Sequence, residues 1–288
     1  MTYTVYLDGR FIPEEKARVS AMDRGFLLGD GIYEVMPMYH GVPFHLDYHF
    51  DRLSRSLAAV SIENPLTRDD YRHICESLYH HHDSTHQSIY FQITRGAYET
   101  RTHYFPDEKA DPTLFAFAKP LELHGLSTLS KGLAAVTHAD LRWQRCDIKV
   151  ISLLANVMAR EYSKQQHVDE AILLRDGIVT EGSHTNVFVV KNDEVFTHPS
   201  NEHILGGITR QVTIQMLKDL NIPCHETLVP EADLLSADEI WLTSTTKMVA
   251  PVLQLNQHAV GDGKPGEIWQ QTASAFIRYI EGYATHDK

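Results

Sequence analysis

The sequence is short of cysteine, of net positive charge and of long apolar runs. Three cysteines, Cys75, Cys146 and Cys224, are scattered over 288 residues. So sparse and odd a set excludes a disulfide framework and a CxxC metal site, and a reducing cytoplasm is the simplest setting. Lys and Arg number 26 against 38 Asp and Glu, a formal charge of −12. This excess of acid argues against a dedicated nucleic-acid binder, which carries a basic face, but leaves room for a local basic pocket for a small anion. No run approaches the ~18 apolar residues of a membrane span, so no membrane association is expected. The stretch Met1–Asp8 lacks the basic flank and apolar core of a signal peptide. Tandem repeats and low-complexity tracts are also missing.

What is present is a 43% hydrophobic chain, long enough at about 150 residues per domain for one large domain or two modest ones. Histidine is plentiful, with 18 copies. The run His80-His81-His82-Asp83 with His86 has the look of a metal cluster. Adjacent histidines cannot all face one ion on a regular element, however, so a polar helix end or loop is expected and no metal.

Alternation and period predict mixed elements. Val5–Leu7 followed by Asp8-Gly9 is a hairpin signal, and Gly31–Val35, continuing to Met38, reads as a strand. Apolar residues at 46, 50, 53, 57 and 60 give a helix within His45–Val60. Thr67 with Asp70 three residues on opens a second helix through Leu78. Ile89–Thr94 and Leu114–Ala118 read as strands. Residues 1–118 are therefore expected to form a small α+β domain, 119–125 a linker, and 126–288 a larger C-terminal domain. In the latter, strands are expected at Leu133–Thr137, Ala171–Leu174, Val187–Val190, Glu194–Thr197 and Glu239–Thr243. Helices are expected at Ser152–Gln165, Thr209–Leu220 and Glu267–Tyr283.

Several motifs carry chemistry. Gly261, Gly263 and Gly266 fit GxGxxG, but no further strand with an acidic residue follows, so a surface turn is expected. Gly206-Gly207 directly before a helix would free backbone N–H groups for an anion, with Thr209 as cap or ligand; a plain glycine-rich turn fits equally. The hydroxyl run Thr243-Ser244-Thr245-Thr246 after an apolar strand could share one phosphate, or make an ordinary turn. Lys149 stands among Ile148, Val150, Ile151, Leu153 and Leu154, where burial would depress its pKa and leave a nucleophilic amine; a surface lysine is the plainer reading. Glu181, between apolar strands, could pair with a protonated ring nitrogen or merely end a turn. Arg101 and His103, two apart in an extended loop, can share one side and take a carboxylate, or be a solvated basic loop.

Taken together, from Met22–Glu34 through Thr243–Thr246, these segments resemble the fold-type IV pyridoxal-phosphate enzymes, and most closely their D-amino-acid aminotransferase branch. The order of the motifs and the interval from Lys149 to Glu181 agree with that family. The resemblance implies a two-domain α/β (α+β) fold with pyridoxal 5′-phosphate between the domains. It makes Lys149 the catalytic lysine, forming the internal aldimine and shuttling the Cα proton. Glu181 would sit on the pyridine nitrogen. Arg52, Ile208, Thr209, Ser244 and Thr245 would hold the phosphate, and Leu205 would pack on the ring. Tyr33, Arg101 and His103 would trap the substrate carboxylate, with the Arg and His reaching across from the partner of a homodimer. Ser183-His184-Thr185, Val150-Ile151 and Lys247-Met248 depart from the family pattern and bear on side-chain preference.

The expectation is thus a cytoplasmic transaminase. It would move the amino group of a D-amino acid such as D-alanine to a 2-oxo acid such as 2-oxoglutarate, by a ping-pong route. Aminodeoxychorismate lyase and branched-chain L-amino-acid aminotransferase share the lysine, glutamate and phosphate residues but not the Arg-x-His pair. A noncatalytic cofactor-binding protein is the remote rival.

Overall fold

The computed structural model describes residues 3–81, 83–107 and 110–286, with side chains up to 283. The chain divides into two compact units. The first comprises residues 1–122, Ile148–Ser152 and the segment from Tyr283 onward; the second takes Leu123–Asp147 and Leu153–Gly282. Lys149 thus belongs to the first unit with the short segment Ile148–Ser152, although the chain on either side of that segment lies in the second.

The first unit is built on an antiparallel sheet in the order β2-β1-β6-β5-β3-β4. Its strands are β1 Thr4–Leu7, β2 Arg10–Pro13, β3 Gly31–Tyr39, β4 Val42–Pro43, β5 His86–Thr94 and β6 Thr113–Pro120. The β1–β2 hairpin closes through Asp8 and Gly9, both at positive φ (46° and 85°), as a type I′ turn requires. Three helices join the sheet: α1 Arg24–Leu28, α2 Leu46–Ala59 and α3 Arg68–Tyr79. Thr67 and Asp70 form a reciprocal capping box at α3, which fixes where that helix begins. Period-2 alternation puts Ile32, Met36, Ile89, Phe91, Ile93, Leu114 and Ala116 on one sheet face, where they pack with Leu53, Leu57, Tyr71, Ile74 and Leu78 of α2 and α3.

The second unit carries α4 Leu126–Leu129, β7 Leu133–Ala139, α5 Leu154–Gln165, β8 Glu170–Arg175, β9 Ile178–Gly182, β10 Asn186–Lys191, β11 Glu194–Thr197 and α6 Ile208–Asp219. It continues with β12 Cys224–Glu226, β13 Val229–Pro230, α7 Glu231–Leu235, β14 Glu239–Ser244, β15 Met248–Leu255, β16 His258–Ala259 and, up to Gly282, α8 Glu267–His286. Ten strands form one mixed sheet, β12-β11-β10-β14-β15-β7-β8-β9-β13, with β16 on β15. Its core draws on Val187, Val189, Ile240, Leu242, Val252 and Ile172.

Two strands here escape a reading by hydrophobic pattern. β9 ends in Thr180-Glu181-Gly182, with the polar Thr180 and Glu181 nevertheless buried. β15 contains Pro251, which opposes Trp241 of β14. On its other side β15 pairs with β7 only from Val252 onward, so Pro251 stands just before that second ladder begins. Gly261 and Gly263 take positive φ in a turn ahead of α8. His80 and His81 lie at the C-terminal end of α3 and His82 falls outside the described residues. Among the described residues no group of three His, Cys, Asp or Glu is placed to hold a metal ion, and no helix is long and apolar enough to cross a membrane.

Candidate active site

In the first unit the site is organised by β3. Its alternation turns Glu34 toward α2, while Tyr33 faces the other way. His49 and Arg52, three apart on α2, share a helix face and both meet the fully buried Glu34. Arg52 donates from Nε to Oε2 at 2.9 Å and from NH2 to Oε1 at 2.5 Å, and His49 Nδ1 lies 3.1 Å from Oε1. Burial alone would raise the Glu34 carboxyl, but the Arg52 guanidinium and His49 outweigh it and hold it well below the usual range. Burial pushes His49 below its ordinary value, so the neutral ring donates its Nδ1 proton to Glu34.

Lys149 is fixed by its backbone. Its carbonyl accepts from Tyr33 N at 2.9 Å, Val150 bridges Ile32, and its own N–H donates to Ser56 Oγ at 3.4 Å. The ammonium sits 4.1 Å from the centre of the Tyr33 ring, which stacks on Tyr90. Lys149 is half-buried rather than enclosed by the apolar residues beside it in the sequence, and its amine faces the Tyr33 ring.

Arg101 and His103 lie side by side in the β5–β6 loop, NH1 to Nε2 3.5 Å, both exposed. The loop is tethered rather than loose. Asp30 holds Arg24 and Arg95, each through Nε at 2.8 Å. Arg24 NH1 donates to the carbonyl of Thr102, between the two trap residues, and the Arg95 guanidinium lies 3.9 Å over the Phe105 ring. Asp23 caps α1 and also accepts from Thr94 and Thr113, which accounts for the motif Asp23-Arg24-Gly25.

In the second unit Glu181 is buried and surrounded by donors. Arg142 NH1 donates to Oε1; Asn186 Nδ2 (3.1 Å) and Leu205 N (3.0 Å) donate to Oε2. Burial pushes its carboxyl up, against the pull of Arg142. Arg142 also forks onto Asp140, Nε to Oδ1 at 2.9 Å and NH2 to Oδ2 at 2.8 Å, and Arg175 adds a contact to Asp140 at 3.1 Å. Leu205 is half-buried beside this carboxylate, and its carbonyl accepts from Asn186 at 2.8 Å.

Helix α6 starts at Ile208 with Gly207 as cap and no side-chain cap hydrogen bond. Thr209 therefore lies inside the first turn instead of capping it. Gly207 is demanded by Asn186: a Cβ there would stand 2.0 Å from the Asn186 Oδ1. The β14–β15 turn presents Ser244 and Thr245 half-buried, with Ser244 Oγ accepting from Lys247 N at 3.1 Å. The hydroxyl of Thr243 is buried without a partner among the described residues. Lys247 is half-buried, and burial depresses its pKa. His184 Nδ1 lies 3.2 Å from the fully buried Glu170, which also accepts from Ser183.

The donor set fits a phosphorylated pyridine. The uncapped first turn of α6 and the hydroxyls of Ser244 and Thr245 suit a phosphate, and a buried carboxylate suits a ring N–H. Asp140, Arg142, Asn186, Glu34 and His49 were silent in the sequence. Asp140 and Arg142 pair locally, but Arg142 reaches Glu181 only 39 residues further on, Glu34 meets His49 and Arg52 across 15 and 18 residues, and no motif marks Asn186 five residues after Glu181.

Comparison with known proteins agrees with this chemistry. Residues 31–255 match the family described as amino-transferase class IV. D-alanine aminotransferase of Staphylococcus haemolyticus is 38% identical over 96% of this chain and 98% of its own. The Bacillus licheniformis D-alanine aminotransferase is 35% identical, over 96% of each. Among solved structures, a T.th. branched-chain amino acid aminotransferase with pyridoxamine 5′-phosphate superposes with a TM-score of 0.90 at 22% identity, covering 98% of this chain and 95% of that one. One from Thermoproteus uzoniensis with norvaline gives 0.85 at 25%, covering 98% and 96%. With its mixed fold and near full-length relatives, the chain belongs to amino-transferase class IV.

Proposed function

We propose that this chain is a pyridoxal-phosphate-dependent D-amino-acid transaminase, with D-alanine as donor and a 2-oxo acid such as 2-oxoglutarate as acceptor. The observation that carries the reading is Glu181, a buried carboxylate with an acceptor position open, in a chain that matches D-alanine aminotransferases nearly end to end. The family resemblance gives each of the following residues a role toward the cofactor. Arg52, the α6 start at Ile208 and Thr209, Ser244 and Thr245 would hold its phosphate, Leu205 its ring, and Glu181 its nitrogen. Once bound, it supplies an electron sink for the bond-breaking at the substrate Cα. Lys149 Nζ would anchor it and carry the Cα proton. Tyr33, Arg101 and His103 would take the substrate carboxylate, the charged pair crossing from a second copy in a homodimer. An apolar stripe on α5, Leu154, Val157 and Met158, is 73%, 58% and 58% exposed and suits burial in such a dimer. The three cysteines are free, consistent with a cytoplasmic setting.

The half-reaction tests the reading. D-alanine added to the loaded enzyme, without acceptor, is expected to convert the cofactor absorbance and release pyruvate, while L-alanine and L-leucine leave it unchanged. Conversion by L-leucine alone would point to the branched-chain activity instead, and pyruvate release from aminodeoxychorismate to the lyase.

A further inference from the structure

The sequence singled out Glu181 but gave no role to Arg142, which contacts it from within the same unit. Arg142 is the most elaborately held cation of that unit. Its side chain is 6% exposed, and Asp140, its bidentate partner, is 0% exposed. Asp140 is itself held by Thr180 Oγ1 at 3.0 Å and by Arg175. This is expensive construction: burying two guanidiniums and two carboxylates carries a desolvation penalty that is offset only when the geometry is good. A structural pair alone would need one of each.

The acceptor count on Glu181 shows what the arrangement achieves. A carboxylate offers about four lone-pair positions. Asn186 and Leu205 fill the two on Oε2, and Arg142 takes one on Oε1. One position on Oε1 remains for a single N–H. We propose that Arg142, braced by Asp140, is a positioning residue that keeps Glu181 an ionised acceptor with that one position open, so that the proton resides on the cofactor's ring nitrogen and not on the carboxyl. The proposal rests on the cofactor reading above.

The reason is a competition for one proton. Burial pushes the Glu181 carboxyl up and Arg142 opposes it. Without the guanidinium, a buried carboxyl facing Asp140 would keep the proton itself. The ring nitrogen would then be neutral and a poor electron sink. The groups around Glu181 that bear on this balance are Arg142, Asp140, Arg175, the Cys146 thiol and, through Arg175, His203. Lysine cannot replace the fork, because an ammonium is a point donor that cannot serve Asp140 and Glu181 in the same plane.

The test uses the full chain loaded with pyridoxal phosphate labelled with nitrogen-15 in the ring. The label's chemical shift reports ring protonation directly, which a purely structural defect would not move. Wild type is expected to keep the ring nitrogen protonated across neutral pH. In Arg142→Met it should lose the proton there, with the D-alanine half-reaction slowed ~100-fold, and Arg142→Lys should titrate at an intermediate pH. A protonated ring nitrogen in R142M with an unchanged half-reaction overturns the proposal. Should R142M fail to fold, R142K decides: a titration superimposable on wild type overturns it. A wild type that ignores D-alanine, paired with an R142M ring nitrogen that shifts, supports this inference while overturning the substrate reading.

Discussion

Glu34 in the first unit and Glu181 in the second are both buried carboxylates that meet a buried arginine, and the two behave in opposite ways. Glu34 is held well below its ordinary value, whereas Glu181 is pushed up from its own. Burial is the largest influence on both. The difference lies in how the guanidinium is shared. Arg52 gives Glu34 two nitrogens, Nε and NH2, and His49 adds a third donor. Arg142 gives Glu181 one nitrogen and commits its other two to Asp140, a second acid that opposes ionisation. The first pair is closed and fixes Arg52 in orientation; the second is left responsive to whatever hydrogen-bond donor arrives.

That contrast can be broken by removing charge from each carboxylate in turn. The largest effect is expected on chemistry in the second unit. Glu181→Gln should slow the D-alanine half-reaction by ~10³-fold, the scale for losing one preorganised electrostatic partner, with the chain still folded. Glu34→Gln should do the reverse, costing about 3–5 kcal/mol of stability because it strands the buried Arg52; a thermal melt reads it. Equal loss of stability in both variants would erase the distinction.

Arg101→Ala comes next. It should lower kcat/KM for D-alanine by ~10–100-fold through lost carboxylate binding, with cofactor affinity unchanged in a direct titration, because Arg101 is exposed and remote in the chain from the phosphate residues. Loss of cofactor would contradict the division between trap and cup.

The smallest effect is on pH. His49 is depressed from 6.5 by burial, so its neutral form is the native one. Its contribution is full above about pH 6.5 and is lost as the pH falls toward the folded value. Glu34 is depressed from 4.5, so its contribution persists above that value and disappears only as the pH falls through the folded one. Melting of the cofactor-free chain should therefore decline in two stages on acidification, and the lower stage should be missing in E34Q.

Much of the fold was legible because local signals and burial agree: the Asp8-Gly9 hairpin, the Thr67–Asp70 capping box and the apolar period of α2 all lie where the residues put them. Strands β9 and β15 were hidden, since Thr180-Glu181 and Pro251 break the apolar pattern for reasons that only neighbouring strands reveal. Among candidate site residues, Arg101 with His103 is adjacent in space as in sequence. The Arg142–Asp140–Glu181 network could not be read, because the local Asp140–Arg142 pair meets Glu181 only across 39 residues of chain. Lys247 was legible only as a departure after the threonine cluster, yet burial depresses its basicity in the β14–β15 turn.

This leaves two lysines, Lys149 and Lys247, to be told apart in the loaded enzyme, and one measurement does so. Borohydride reduction of the protein with pyridoxal phosphate, followed by peptide mass mapping, should place the reduced cofactor on the peptide that carries Lys149, and Lys149→Ala should remove both the adduct and turnover. Recovery of the cofactor on Lys247, or on any peptide of K149A with turnover intact, would contradict the account.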